Sequence, residues 1–320
     1  MRSKIVATGR YLPPRIETSA ELAPRLGIDA AWIDAYAGVE ERRVSDLGMA
    51  EMGARAAEAA LGDGPPPDLI LNASGVPQQV IPDSSVYIQE ALGMAGTPSY
   101  SIHATCLSFL VALHSATGLI AGGTYRRILI VSSELGTFGR NFEEPESAVL
   151  FGDGAAAAIV EPTPDGEASE LLTFEMGTWP AGAHLTEVRG GGTRLHPNDP
   201  KTTPADNLFS MDGPGVYKMA RRRVPVILKK VLRATGLTQD DINLVVPHQA
   251  SGPGVEAVAH YGFPEERIVN IVRTQGNCVA ASMPLALAAA HEEGRIARGD
   301  HLLLAGTGAG LSVAAAIIRW

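Results

Sequence analysis

The sequence predicts an α/β protein of stacked layers, and three observations carry that expectation. Short β-branched runs alternate with Ala-rich amphipathic segments, the pattern of largely buried strands covered by helices. The order of these segments repeats in the two halves of the chain. The repeat also keeps a nearly constant offset: Leu69 and Leu244 stand 175 residues apart, and Ile128 and Leu302 stand 174 apart.

Along the chain, Met49 to Leu61 carries a helical apolar stripe and leads into the strand-like run Asp68 to Leu71. Its counterpart in the second half is a helix over Val216 to Leu232, ahead of Ile242 to Val246. A strand at Tyr100 to Ile102 then passes through Cys106 into a helix over Ser108 to Ile120 and a strand over Arg127 to Val131. Ile268 to Val272 is predicted to repeat that first strand, followed through Gly276 and Asn277 by a helix over Ala280 to Ala290 and a strand at His301 to Leu304. Each half closes on a small-residue strand, Ala155 to Val160 and Val313 to Ile318. Ile159 and Ile317 are only 158 residues apart, so the first half carries about 16 extra residues, placed within Gly136 to Val149. Order preserved over so many segments argues for an internal duplication. The turn-rich stretch Pro162 to Gly166 sets the boundary, with residues 1–165 carrying Cys106 and residues 166–320 carrying His248 and Asn277. Arg189 to Asn207, with three successive glycines and several prolines, reads as a long surface loop.

Composition narrows the function classes. At 320 residues, 45% apolar and 19% charged, the chain has ample core and is not a disordered segment. A net charge of −9 removes any reason to bind nucleic acid over the whole surface, although a local basic patch is compatible with it. The only cysteines, Cys106 and Cys278, form no CxxC pair, which points to a reducing compartment, the cytoplasm by default. No run approaches the ~20 apolar residues of a membrane span, and the run Ile5 to Gly9 is too short for a signal peptide. The eight histidines include no HExxH and no close Cys/His set, so no metal site is expected. The glycine-rich Gly306 to Gly310 precedes an apolar strand where a nucleotide fingerprint needs a helix, so no nucleotide fold is expected.

Three residues stand out chemically. Cys106 lies between a strand-like and a helix-like run, where the helix dipole and free N–H groups favour thiolate; the plainer reading is a small buried hydrophobe. His248 ends a strand in Pro247-His248-Gln249-Ala250-Ser251, the place where sites in α/β folds often lie. Asn277 offers an amide donor at the junction of the second half that corresponds to the Cys106 junction. The repeat therefore lets thiol and amide meet near one pseudo-symmetric centre. Cys278 reads as a packed bystander.

With Ala104-Thr105-Cys106 before a helix, Phe151-Gly152-Asp153-Gly154-Ala155, Met211-Asp212-Gly213, Val246-Pro247-His248-Gln249-Ala250, Gly276-Asn277 followed by Ala280-Ala281-Ser282, and Gly308-Ala309-Gly310, the sequence resembles the β-ketoacyl-acyl-carrier-protein synthase III group of the thiolase superfamily along its entire length. The resemblance implies a thiolase-like five-layered αβαβα fold of two duplicated halves, a homodimer, and a Cys106, His248, Asn277 triad. It implies no tightly bound cofactor; the substrates are coenzyme A or phosphopantetheine thioesters, including an acyl carrier protein and a malonyl thioester. In that reading Cys106 takes up an acyl group, and a malonyl thioester loses carbon dioxide to an enolate that His248 and Asn277 stabilise. The N–H groups of Cys106 and Ala309 would form the oxyanion hole. Trp32, Gly213, Tyr217 and Ser251 fall at channel positions. Lys218 matches a carrier-docking position within a basic run that includes Arg221, Arg222, Arg223, Lys229, Lys230 and Arg233. Tyr36, Pro145, Pro253, Gln275 and Thr307 depart from the housekeeping pattern and suggest a specialised member. Rival readings are transfer of the acyl group to a hydroxyl or amine, head-to-head joining of two acyl chains, and a non-catalytic partner subunit.

Overall fold

The computed structural model describes residues 2–320. Nine strands build two sheets: β1 (Ser3–Tyr11), β2 (Leu69–Asn72), β3 (Ser99–Ser101), β4 (Ile128–Leu135), β5 (Asp153–Pro162), β6 (Glu170–Gly182), β7 (Leu244–Pro247), β8 (His301–Gly308) and β9 (Gly310–Arg319). Five helices cover them: α1 (Met49–Leu61), α2 (Ser85–Ala91), α3 (Ser108–Ala121), α4 (Gly213–Thr235) and α5 (Ser282–Glu292). The first sheet has the order β1-β5-β4-β2-β3 and the second β6-β9-β8-β7. Equivalent strands pair in the same register and sense: Leu69 lies opposite Ile128 in a parallel pair, and Leu244 lies opposite Leu302 in another.

Period-two burial explains the layering. Leu69, Leu71, Ile128 and Ile130 face inward with Leu244, Val246, Leu302 and Leu304, and the two inner faces enclose α3 and α5 in the largest core. The alternate residues Ile70, Leu129 and Val131 face outward onto α1 and α2. Val245, Leu303, Val313 and Ala315 likewise face α4. The result is helix, sheet, helices, sheet, helix: the five-layered αβαβα arrangement.

Two expectations needed correction. The predicted strand Ile268 to Val272 is reduced to a single bridge between Ile268 and Val245, followed by a short helix, Val272–Gln275. The cause is the fully buried Gln249, whose carboxamide donates to Val269 O and accepts from Ile271 N and Val272 N, giving those backbone groups partners outside a ladder. The helix predicted from Ala280 begins at Ser282 instead, because residues 279–281 form a tighter turn with Val279 at φ 46°. The extra residues of the first half lie where the offset placed them: residues 136–152 separate β4 from β5, whereas Ala309 alone separates β8 from β9.

Candidate active site

The site is built at the ends of strands where the halves meet. Cys106 precedes Leu107, the N-cap of α3, in a turn that Ser108 braces by donating its hydroxyl to Thr105 O at 2.6 Å while receiving the Ala104 N–H at 2.9 Å. Thr105 has φ 52°, and Val279, at the equivalent turn before α5, has φ 46°; among the described residues no other non-glycine is left-handed. Such residues persist only where their surroundings hold them.

Cys106 is half-buried, and burial of its sulfur pushes the thiol up to about 12, with the nearby Glu134 carboxyl adding to the rise and the Cys106 N–H opposing it. Desolvation thus overrides the thiolate preference predicted from the helix end: Cys106 rests as a thiol.

His248 extends the β7 ladder by one bond, donating its N–H to Ala305 O at 2.9 Å. Its imidazole is buried, Nδ1 has no hydrogen-bond partner among the described residues, and desolvation drops its pKa to about 4, so the ring is neutral at physiological pH. Asn277 is held from both sides. Its N–H donates to Leu150 O at 2.7 Å and its carbonyl accepts from Gly152 N at 3.1 Å, so the extra residues of the first half carry the backbone of the second-half amide. Its Oδ1 accepts from Val279 N and the Ser282 hydroxyl, which fixes the amide so that Nδ2 faces Ala250 O at 3.2 Å and has one N–H to spare.

Strand β8 gathers these pieces. A Cβ added at Gly306 would fall 2.8 Å from the His248 Cβ and 3.3 Å from the Leu107 side chain. One added at Gly308 would fall 2.6 Å from Thr105 Oγ1 and 3.3 Å from Ala104 O. The same glycine-bearing strand therefore touches the imidazole residue and both flanks of Cys106, and Ala309 follows directly in the turn to β9.

A cavity of about 1080 Å³ opens beside this strand, with His248, Asn277, Ala250, Gly306 and Thr307 in its inner wall. Cys106 is not part of that wall. Gly213, Tyr217 and Ser251 line the cavity, as does Tyr36; Trp32 does not line it but stacks on Tyr36 at 4.6 Å between ring centroids. Asp212 caps α4 by accepting Gly215 N, and Ser251 caps the short helix Gly252–Glu256. Lys218, Arg221 and Arg222 are exposed on α4, and Arg221 reaches the cavity rim. Of the remaining basic run, Arg223 lies over the Trp179 ring and Lys230 pairs with Glu175. Among the described residues no cluster of His, Cys, Asp and Glu could hold a metal ion.

Comparison with known proteins gives this arrangement its place. The profile described as 3-Oxoacyl-[acyl-carrier-protein (ACP)] synthase III matches residues 100–180, and that of its C terminal matches residues 232–320. A β-ketoacyl-[acyl-carrier-protein] synthase III 2 of Deinococcus radiodurans is 34% identical over 99% of this chain and 94% of its own. The chain belongs to the 3-oxoacyl-acyl-carrier-protein synthase III family. The synthase III of Aquifex aeolicus superposes with a TM-score of 0.89 at 30% identity, covering 99% of this chain and 100% of that one. The synthase III of Pseudomonas aeruginosa gives 0.90 at 30% identity, covering 100% and 98%. The thiolase-like fold of the family is the layered fold described above.

Sequence reasoning gave no role to Gln249 or Glu134. A polar residue two positions after a buried strand was the available signal for Gln249, and a carboxylate near the end of the strand Ile128 to Leu135 was the signal for Glu134.

Proposed function

We propose that this synthase III family member forms an acyl-enzyme at Cys106 and performs decarboxylative condensation with a malonyl thioester, with His248 and Asn277 as the donors to the enolate. The chain is an acyltransferase of the condensing type. What carries the assignment of roles is the locked amide of Asn277 beside a neutral imidazole in the wall of one cavity, since two neutral N–H donors suit an oxyanion and leave no cation to be titrated. The thiol of Cys106 attacks the acyl thioester carbonyl; the carbon–sulfur bond to the carrier breaks, and the proton leaves with the carrier thiol. The N–H groups of Cys106 and Ala309 support the intermediate. Malonyl carbon–carbon cleavage then releases carbon dioxide, and the carbanion attacks the acyl-cysteine to give a 3-oxoacyl product; the carbon–sulfur bond breaks and Cys106 leaves as a thiolate that takes a proton from water to return to the thiol.

The cavity accounts for substrates delivered on a coenzyme A or phosphopantetheine arm, with Gly213, Tyr217 and Ser251 along the path and Trp32 backing Tyr36; nothing in the chemistry calls for a tightly bound cofactor. Lys218, Arg221 and Arg222 are exposed and pair with no carboxylate among the described residues, which suits them to an acidic carrier protein. We take the working form to be a homodimer: the edge strand β3 carries the exposed Tyr100, and Val76, Val80 and Ile81 are exposed on the segment before it, which Asp83 joins to β3 by accepting from the Ser101 hydroxyl. Two free thiols suit a reducing compartment, and we place the reaction in the cytoplasm.

The test is to supply an acyl thioester with labelled malonyl thioester and measure carbon dioxide and 3-oxoacyl product together. H248A and N277A should each slow decarboxylation by about 100-fold while slowing acyl loading far less. Transfer to an added alcohol or amine without carbon dioxide release would replace condensation by simple acyl transfer.

A further inference from the structure

One buried carboxyl group has no part in the chemistry above. Glu134 lies near the end of β4 and is 1% exposed. The alternation that turns Ile128 and Ile130 toward the central layer also turns Ser132 and Glu134 that way. Its Oε1 accepts the N–H of Gly75, whereas Oε2 has no hydrogen-bond partner and no lysine or arginine pairs with it among the described residues. A Cβ placed on Gly75 would sit 3.2 Å from that Oε1, 2.8 Å from Val279 Cγ1 and 3.4 Å from Thr105 O. Thus the carboxyl group, the Gly75 loop and the two left-handed residues converge on one point.

We propose that Glu134 is a positioning residue for acyl transfer: its carboxyl group braces the Gly75 loop between the Thr105 turn that carries Cys106 and the Val279 turn that follows Asn277. This rests on the reading of Cys106 as the nucleophile. Both turns are strained, and a strained turn keeps its geometry only while its neighbours leave it no room to relax. The N–H groups of Val76 in the first half and Ala280 in the second also act on the carboxyl group from longer range, so the brace spans the two halves.

The same group adds to the effect of burial on the thiol. Burial raises Glu134 to about 8, with the Gly75, Ala280 and Val76 N–H groups opposing the rise, so at neutral pH it is largely a neutral acid and its charge appears only in mildly alkaline solution. The titratable groups around it are Cys106 and Cys278, on both of which its charge acts, Asp153 beyond Cys278, and His103, which bonds Gly75 O. Ionised Glu134 therefore disfavours the Cys106 thiolate.

The experiment measures steady-state kinetics and the pH dependence of Cys106 alkylation by iodoacetamide for the wild-type protein, E134A and E134Q, with acylation of wild-type Cys106 checked by mass spectrometry. E134A should lose at least about tenfold in kcat with KM within about twofold. E134Q, which keeps the shape and an accepting oxygen, should recover most of that loss. It should also alkylate with a midpoint about one unit lower, because the repelling charge is gone. A wild-type kcat in E134A, or an E134Q as slow as E134A, overturns the proposal; if E134A does not fold, E134D, whose shorter arm withdraws the oxygen from Gly75 N, is held to the same kcat criterion. Failure of wild-type Cys106 to acylate would instead remove the nucleophile assignment itself.

Discussion

At the residue scale, desolvation decides the chemistry. A helix end favours a nearby charge by less than about 1 kcal/mol at a surface, whereas each pKa unit is about 1.4 kcal/mol. A thiol at about 12 and an imidazole at about 4 therefore rest as a neutral pair, not as an ion pair. Sequence spacing makes the Cys106, His248 and Asn277 positions legible, but not their burial. That is why the predicted thiolate failed. His248 supplies a pH prediction. Its folded pKa lies below its ordinary value near 6.5, so the folded state stays neutral where the unfolded chain takes up a proton, and the associated stability is lost as pH falls from about 6.5 toward 4. Malonyl decarboxylation by the C106A protein should accordingly be flat between about pH 5 and pH 7. An acid limb centred near the ordinary imidazole value would show a solvated ring.

At the element scale, alternation and amphipathic stripes gave seven of the nine sheet strands and α1 but no strand at Ser3–Tyr11 or Glu170–Gly182, and the offset between repeats located the extra residues. The strand predicted at Ile268 to Val272 was not legible as anything else, because its fate is set by one side chain from a distant segment. Its β-branched composition suits a ladder, but the Gln249 amide satisfies its backbone first. Replacing that amide exposes the arrangement. Q249L should leave Val269 O, Ile271 N and Val272 N without their buried partner and destabilise the protein by about 3 kcal/mol, read as a lower midpoint in urea. A variant as stable as wild type would mean that the segment can pair by itself.

At the scale of the whole molecule, the repeat explains why one site draws on both halves. The pairings Leu69 with Ile128 and Leu244 with Leu302 show the common register, and the two left-handed residues stand at equivalent turns before the two central helices. Asn277 then depends on Leu150 and Gly152 from the opposite half. No motif in the sequence announces such a contact, since it joins segments more than a hundred residues apart. Oligomeric state belongs to this scale as well. Val80 and Ile81 are 77% and 80% exposed, a costly display for a monomer. Light scattering should give a dimer, and the V80D and I81D pair together should shift it toward monomer; a wild-type monomer would leave that patch for another partner.

Cys106 is the residue proposed to hold the acyl group. Peptide mass spectrometry after incubation with a series of acyl-CoA thioesters tests it most directly. The Cys106 peptide should gain the acyl mass in the wild-type protein and no peptide should gain it in C106A. An acyl group found on Cys278, or one that persists in C106A, would contradict the account.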